Sequence, residues 1–89
     1  MRAVVTVVGK DKTGIISKVS TFLAEKDVNI LDISQTIMDE YFAMIMMVDL
    51  SNSQTELSQL AEECSAMGRK IDMSIHIQHE DIFNAMHSV

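Results

Sequence analysis

The stretch from Gly9 to Ile16 is the part of the sequence best suited to bind a small molecule. An apolar strand ends there, a short polar turn follows, and a helix begins at Gly14. The first amides of a helix lack intrahelical acceptors and the macrodipole is positive at that end, so a carboxylate or phosphate could dock there. Gly14 has no Cβ to keep a ligand away, and Asp11 could accept hydrogen bonds from an amino group. Together these groups would suit the two charged ends of an amino acid.

The same residues also allow a purely structural interpretation. Asp11 and Thr13 could simply cap the helix, with Thr13 as the N-cap, and Gly9 and Gly14 could simply form the turn. The residues alone leave both interpretations open.

The histidines are the next group with chemical potential. His76 and His79 are three residues apart on a strand, so they point to opposite faces and cannot easily share a metal ion. His87 could join His79 and Glu80 at a metal site if the tail folds back, which makes metal sensing a third hypothesis. Surface or interface positions are the favoured interpretation, and we predict no metal site.

Composition excludes several classes of function. Seven Lys and Arg against thirteen Asp and Glu give a net charge of −6, which opposes nucleic-acid binding because phosphates require cationic partners. No apolar run approaches the roughly 20 residues of a membrane span. The start of the chain lacks the features of a signal peptide, and the single cysteine, Cys64, cannot form an internal disulfide. We therefore expect a cytoplasmic protein without cofactors, with Cys64 in the core.

Hydrophobic periodicity predicts six regular elements. In chain order they are a strand at 3–8, a helix from Gly14 to about Asp27, a strand at 29–38, a strand at 41–50, a helix after a Ser53–Glu56 capping box that stops at Gly68, and a strand at 71–78. The tail, residues 80–89, is weakly amphipathic and could be helical. The turn Asp39–Glu40 is not a favoured two-residue hairpin sequence, so the register of that hairpin is left open.

This order predicts an α+β, ferredoxin-like βαββαβ two-layer sandwich that occupies residues 1–89 as a single domain. Its four-stranded antiparallel sheet carries both helices on one face, with strands one and three at the centre. Those two central strands are apolar on both faces, so helices on one face would leave an apolar patch on the other. A second subunit, or the tail with Ile82, Phe83 and Met86, should cover that patch. Oligomerisation is the favoured alternative because a chain of 89 residues gains stability from it.

The stretch from Gly9 to Ser20, followed by Phe22 to Ile30, resembles the signature of ACT domains. The pattern is an aspartate, a glycine three residues later, a helix with valine–leucine spacing, and Asn-Ile at the start of strand two. The likeness is greatest to the stand-alone ACT proteins of the UPF0237 group, whose ending also resembles residues 79–87, and to the regulatory domains of glycine-cleavage repressor-like proteins. The resemblance covers essentially the whole chain.

This resemblance implies a ligand site between subunits. The loop side would comprise Asp11, Lys12, Thr13, Gly14 and Ile15, and strand two of a partner chain would supply Asn29, Ile30 and Leu31. Thr13 stands where many similar proteins have proline, so the ligand set could differ. Asn29 could instead satisfy local backbone groups.

Enzymes and binding domains of the same topology need residues that this chain lacks. Acylphosphatases need an arginine near the first loop, whereas the two arginines here are Arg2 and Arg69. Metal-transfer domains need a Cys-x-x-Cys loop, and RNA-binding domains need aromatic residues on strands one and three. We therefore expect no catalysis, but a regulatory ACT homodimer or higher homo-oligomer that senses an amino acid and signals to a partner protein. The alternative is a ligand-free scaffold for protein–protein interaction.

Overall fold

The computed structural model describes residues 1–87 and contains four strands and three helices. In chain order these are β1 (Arg2–Lys10), α1 (Ile15–Glu25), β2 (Asn29–Met38), β3 (Tyr41–Asp49), α2 (Leu57–Lys70), β4 (Met73–His79) and α3 (Glu80–Met86). The strands form one sheet in the order β2-β3-β1-β4, and every neighbouring pair is antiparallel. The predicted ferredoxin-like fold is confirmed, with β1 and β3 at the centre.

The main core lies between the sheet and the pair α1 and α2. Alternate residues of β1 and β3 point into it and are fully buried, because the side chains of a strand alternate between faces. These residues are Ala3, Val5, Val7, Met44, Met46 and Val48. Val19 and Leu23 of α1 and Leu60 of α2 meet them from the helix layer. Cys64 is buried in the same cluster, as predicted.

The start of α1 differs from the prediction. Gly14, not Thr13, is the N-cap, and no side chain caps this helix end. The carbonyl oxygen of Gly14 accepts the first helical hydrogen bond, from the amide of Lys18 over 3.0 Å. Gly14 has a φ of 84°, in the left-handed region that favours glycine. The chain therefore turns into the helix at Gly14, and Thr13 lies in the exposed turn before it.

The predicted limits of α2 are also wrong. Ser53 and Glu56 form no capping box: Glu56 is itself the N-cap, and the Ser53 hydroxyl accepts a hydrogen bond from the amide of Thr55 over 3.2 Å. Gly68 does not stop the helix but lies buried inside it. A Cβ at Gly68 would lie 2.5 Å from the carbonyl oxygen of Met73. This glycine therefore allows α2 to pack closely against β4, and the helix continues to Lys70.

The β2–β3 hairpin has the two-residue turn that the sequence left uncertain. Met38 pairs with Tyr41, and Asp39 adopts a φ of 57°, a conformation that aspartate tolerates better than most residues. At the other end of the hairpin, a β-bulge between Ile30 and Asp32 interrupts the pairing. Leu31 is the extra residue of that bulge.

The tail adds an element on the opposite side of the sheet. Residues Glu80–Met86 form α3, which contacts β1 and β4. Phe83 lines a small hollow on this face together with Val4 and Met47. Arg2 and Glu80 form an ion pair over 3.2 Å beside it. The predicted tail extends to residue 89, and residues 88 and 89 lie outside the described part of the chain.

Candidate ligand site at the start of the first helix

The loop between β1 and α1 is tied to two neighbouring turns. The amide of Asp11 donates a hydrogen bond to the carbonyl oxygen of Glu40 over 2.8 Å. Lys12 Nζ donates to the carbonyl oxygen of Ile71 over 3.4 Å and lies 3.3 Å from the Asp72 carboxylate. These contacts connect the loop to the β2–β3 turn on one side and to the α2–β4 turn on the other. The loop therefore has one backbone hydrogen bond and one exposed ion pair that connect it to neighbouring turns.

The first turn of α1 begins at the end of this loop, and its first amides have no acceptor within the helix. No side chain caps them, so they depend on water or a ligand for acceptors. The space beside Gly14 is open, because a Cβ there would meet no atom within 4 Å. Within this chain, the conformation of the backbone therefore favours glycine at position 14, whereas the space around it would admit a side chain.

The predicted loop residues differ in what they can offer a ligand. Asp11, Lys12, Thr13 and Gly14 are exposed, whereas Ile15 is buried in the core. Ile15 can therefore contribute only its backbone. Lys12 is held by Asp72, which leaves the Asp11 carboxylate as the charged group of the loop without an ion-pair partner among residues 1–87.

The strand side of the predicted site consists of Asn29, Ile30 and Leu31. Asn29 is exposed and pairs in register with Asp49, while Ile30 is partly buried against the core. Leu31 is exposed at the bulge. The adjacent apolar pair Ile30–Leu31 breaks the alternation of β2, and this was the one sequence signal that could have predicted the bulge.

The two halves of the predicted site do not meet within one chain. The loop follows Lys10, which pairs with Tyr41, whereas Asn29 pairs with Asp49 at the other end of β3. Tyr41 and Asp49 are eight residue steps apart on β3, which corresponds to about 27 Å along the sheet at ~3.4 Å per residue. A site that uses both halves therefore requires a second chain.

Two groups at the loop were missed by the sequence reasoning. The carbonyl oxygen of Glu40 holds Asp11, and Asp72 holds Lys12. Both contacts join residues that are distant in sequence, so no local pattern indicated them.

The histidines make local contacts. His79 caps α3, since its Nδ1 accepts a hydrogen bond from the amide of Asp81 over 3.0 Å. His87 stacks on Phe83 at a centroid distance of 4.1 Å and donates from Nδ1 to the Phe83 carbonyl oxygen over 2.8 Å. No three His, Cys, Asp or Glu side chains among residues 1–87 are grouped as a metal ion would require.

Comparison with known proteins identifies the family. The family model described as ACT domain matches residues 2–78. The chain is also 57% identical over 89 residues to the UPF0237 protein CPE1496 of Clostridium perfringens, an alignment that covers both chains completely. This chain belongs to the ACT domain family. ACT domains are generally regulatory modules that bind small molecules, and the full-length similarity relates this one to the stand-alone UPF0237 group.

Solved structures agree with the fold of this ACT domain. An ACT domain protein from Streptococcus pneumoniae is 46% identical and has a TM-score of 0.84, with 98% of each chain covered. A proposed glycine cleavage system transcriptional repressor has a TM-score of 0.75 at 21% identity, with 86% of this chain and 44% of that chain covered. The latter similarity shows the shared fold alone. None of the helices among residues 1–87 combines the length and the apolar character that crossing a membrane would require.

Proposed function

We propose that this ACT domain is a regulatory sensor that binds a free amino acid between two copies of the chain and catalyses no reaction itself. The loop side of each site would be residues 11–15 of one copy, and the strand side would be residues 29–31 of the other. The observation that carries the proposal is the uncapped, open start of α1 at Gly14 beside the free carboxylate of Asp11.

The charges at this position match the two ends of an amino acid. The free amides of the first turn and the positive end of the helix dipole would bind the α-carboxylate. The Asp11 carboxylate would accept hydrogen bonds from the α-amino group. A simple anion would use only the first of these partners and would be repelled by the second, so the pair favours a zwitterion.

The need for a second copy follows from the separation of the two halves along the sheet. β2 is an edge strand whose outer backbone groups have no partner strand in the sheet. Its apolar side chains Ile33 and Ile37 are exposed on the helix side, and Leu31 is exposed at the bulge. Such an edge is suited to contact with another subunit. In a two-fold dimer the exchange is reciprocal, so each pair of chains forms two sites.

A shared site gives the ligand a way to act on other proteins. An amino acid that binds only the assembled form shifts the equilibrium toward that form. The change in assembly would then be read by a regulated partner protein. We place this sensor in the cytoplasm, because its one cysteine is buried and forms no disulfide.

The direct experiment is a thermal shift assay with each of the common amino acids. A ligand at 100 times its Kd adds about 2.7 kcal/mol to the free energy of unfolding. For a chain of this size that corresponds to a rise in melting temperature on the order of 10 °C. We expect one amino acid, or one group of similar ones, to give such a rise. If every amino acid leaves both the melting temperature and the oligomeric state unchanged, the sensor proposal fails.

The second candidate is a ligand-free interaction scaffold. The exposed apolar row on β2 supports it, because that row could bind a different protein as readily as a second copy. A stoichiometric complex with another protein that forms without any amino acid, and that is lost in Ile33→Asp, would favour the scaffold.

A further inference from the structure

The third helix covers only half of the sheet face that α1 and α2 leave open. Val4 and Val8 lie on the same face of β1, because they are four residues apart on one strand. Val4 is 2% exposed, whereas Val8 is 44% exposed. The difference follows from α3, whose Phe83 lines a hollow together with Val4 and Met47 but does not line the hollow beside Val8. The open face thus has a ridge, α3, at one end and an uncovered half at the other.

The uncovered half is apolar and hollow. It consists of Val8, Met38, Tyr41, Ala43 and Ile45. A cavity of about 280 Å³ lies among its residues and is lined by Val8, Thr36, Met38, Tyr41, Phe42 and Ala43. The side chains of Val8, Met38, Tyr41 and Ile45 are between 44% and 72% exposed. A continuous apolar surface of this kind on a water-soluble chain marks a contact surface.

The ridge has exposed apolar side chains of its own. At 100° per residue, Asp81 and Ala85 lie on the side of α3 opposite Phe83, and Ile82 lies on its flank. Ile82 and Met86 are 55% and 64% exposed. Ala85 is small and exposed, so another surface can approach the helix closely at that point. The match to the ACT domain model ends at residue 78, so α3 is an addition to the matched domain.

We infer that two copies of this chain pack with their open faces together, so that α3 of each copy fills the uncovered half of the other. α3 contacts β1 and β4, whereas the hollow lies toward β2 and β3 at the other end of the sheet. A two-fold axis that lies between the faces and runs obliquely across the strands therefore places the ridge of one copy over the hollow of the other. The inference goes beyond the proposed function, because this surface includes none of the residues of the ligand site.

The area available is sufficient for such a dimer. Six large side chains, four in the uncovered half and two on α3, are about half exposed or more. At roughly 100 Å² each, half of what a large side chain can bury, they supply on the order of 600 Å² per copy. A stable protein interface needs about 800 Å² per partner. The smaller residues around them, Ala43, Ala85, Thr36 and Ser34, supply most of the remainder.

Disulfide cross-linking between two single-cysteine additions tests the arrangement. One chain carries Ala85→Cys and the other Ala43→Cys, with a mass tag to tell them apart, and no amino acid is added. The native Cys64 is buried and stays silent under native conditions. The control pair combines Ala43→Cys with Ser58→Cys, which is exposed on α2 in the opposite layer. Contact between positions 85 and 43 raises their effective concentration to the millimolar range, so at micromolar protein the 85–43 disulfide should form on the order of a hundredfold faster than the 58–43 disulfide.

Sedimentation equilibrium provides a second readout. We expect self-association to weaken at least tenfold in Ile82→Glu and in Tyr41→Glu, while the far-ultraviolet circular dichroism stays unchanged. The control is Ile37→Glu, on the helix side of β2, which should still form the 85–43 disulfide. Equal rates for the two cysteine pairs, or an unmodified chain that sediments as a monomer at the concentration used for cross-linking, would overturn the inference. A failed amino-acid screen combined with fast 85–43 cross-linking would remove the proposed sensor function and leave this interface standing.

Discussion

The backbone amide of Asp11 and the carbonyl oxygen of Glu40 are joined by a hydrogen bond of 2.8 Å, which ties the β1–α1 loop to the β2–β3 turn. On the other side, the ion pair of Lys12 with Asp72 ties the same loop to the α2–β4 turn. These two contacts restrict the loop backbone, so a ligand would have less of it to order on binding. Preorganisation of this kind reduces the entropic cost of association.

Substitution of Gly14 tests the loop side of the site. Gly14→Asn keeps the positive φ at low cost, because asparagine tolerates that region, but adds a side chain where the ligand would lie. We expect at least a tenfold loss of amino-acid affinity in isothermal titration calorimetry, with the melting temperature of the free protein changed by only a few degrees. Gly14→Val should lose affinity and also about 1–2 kcal/mol of stability, because a β-branched residue is strained at this φ. Unchanged affinity in Gly14→Asn would show that the ligand binds elsewhere.

Alanine at Gly68 should be far more damaging than alanine at Gly9. The new Cβ at position 68 would lie 2.5 Å from the Met73 carbonyl oxygen, and backbone cannot move aside easily. At position 9 the nearest atom is the Met73 sulfur at 2.6 Å, part of a flexible side chain. We expect Gly68→Ala to lose at least about 2 kcal/mol in urea unfolding, and Gly9→Ala about 1 kcal/mol or less. Equal losses would contradict the close packing of α2 on β4.

Cys64 should make stability fall at high pH. Burial, helped by the charge of Glu63, raises the pKa of its thiol from 9.0 to about 11. Between these values the unfolded chain loses a proton that the folded chain keeps, so the free energy of unfolding decreases as pH rises from about 9 to 11. The full effect is roughly 2–3 kcal/mol. Lysines and the tyrosine also titrate there, so the measure is the difference between the wild type and Cys64→Ala, whose unfolding curve should be flatter. Parallel curves would show that the thiol does not titrate as described.

The link between α1 and α2 predicts a measurable coupling. Lys26 Nζ lies 2.9 Å from Glu63 Oε1, both side chains are about 30% exposed, and Glu63 Oε2 is buried without a hydrogen-bond partner. Lys26→Met should cost about 1–2 kcal/mol, because it leaves the Glu63 carboxylate partly buried without its ion-pair partner. Adding Glu63→Gln should recover part of that loss. A double-mutant cycle by urea unfolding gives the coupling energy, and a value near zero would make the pair a surface contact without consequence.

The sequence predicted the fold well because each element carries its own periodicity. The element order with right-handed crossovers predicts the strand order that the structure has, and the alternation in β2 and β4 beside the doubly apolar β1 and β3 agrees with it. The errors lie at the ends of helices. Thr13 and the Ser53–Glu56 pair have the right residue types for caps, but the turns before α1 and α2 set the helix starts at Gly14 and Glu56. Gly68 was predicted to end α2, but it lies inside the helix. Its role is to let the helix approach the Met73 backbone of β4, and this tertiary contact cannot be predicted from the residues of the helix alone.

The candidate site was predictable only in part. A glycine at the start of α1 is visible in the sequence, but the structure makes it the N-cap in place of Thr13. The contacts from Glu40 and Asp72 depend on tertiary packing, so no local pattern predicts them. The sequence predicts that either the tail or a second subunit covers the open face, and α3 covers only half of it. How much of the open face is covered depends on the length of α3, which has seven residues. The composition of the tail does not determine that length.

The central claim, a ligand site completed by two chains, is tested most directly by mixing two inactive variants. Gly14→Asn damages the loop side, and Asn29→Asp places a like charge beside the strand side, where it would repel the ligand carboxylate. Each variant alone should bind the amino acid at least tenfold more weakly than the wild type. In a mixed dimer, one of the two sites combines the intact loop of one chain with the intact strand of the other. After equal amounts are unfolded together and refolded, calorimetry should therefore recover binding of wild-type affinity at about a quarter of the wild-type number of sites. No recovery of such sites, with mixed dimers demonstrably formed, would contradict a site shared between chains.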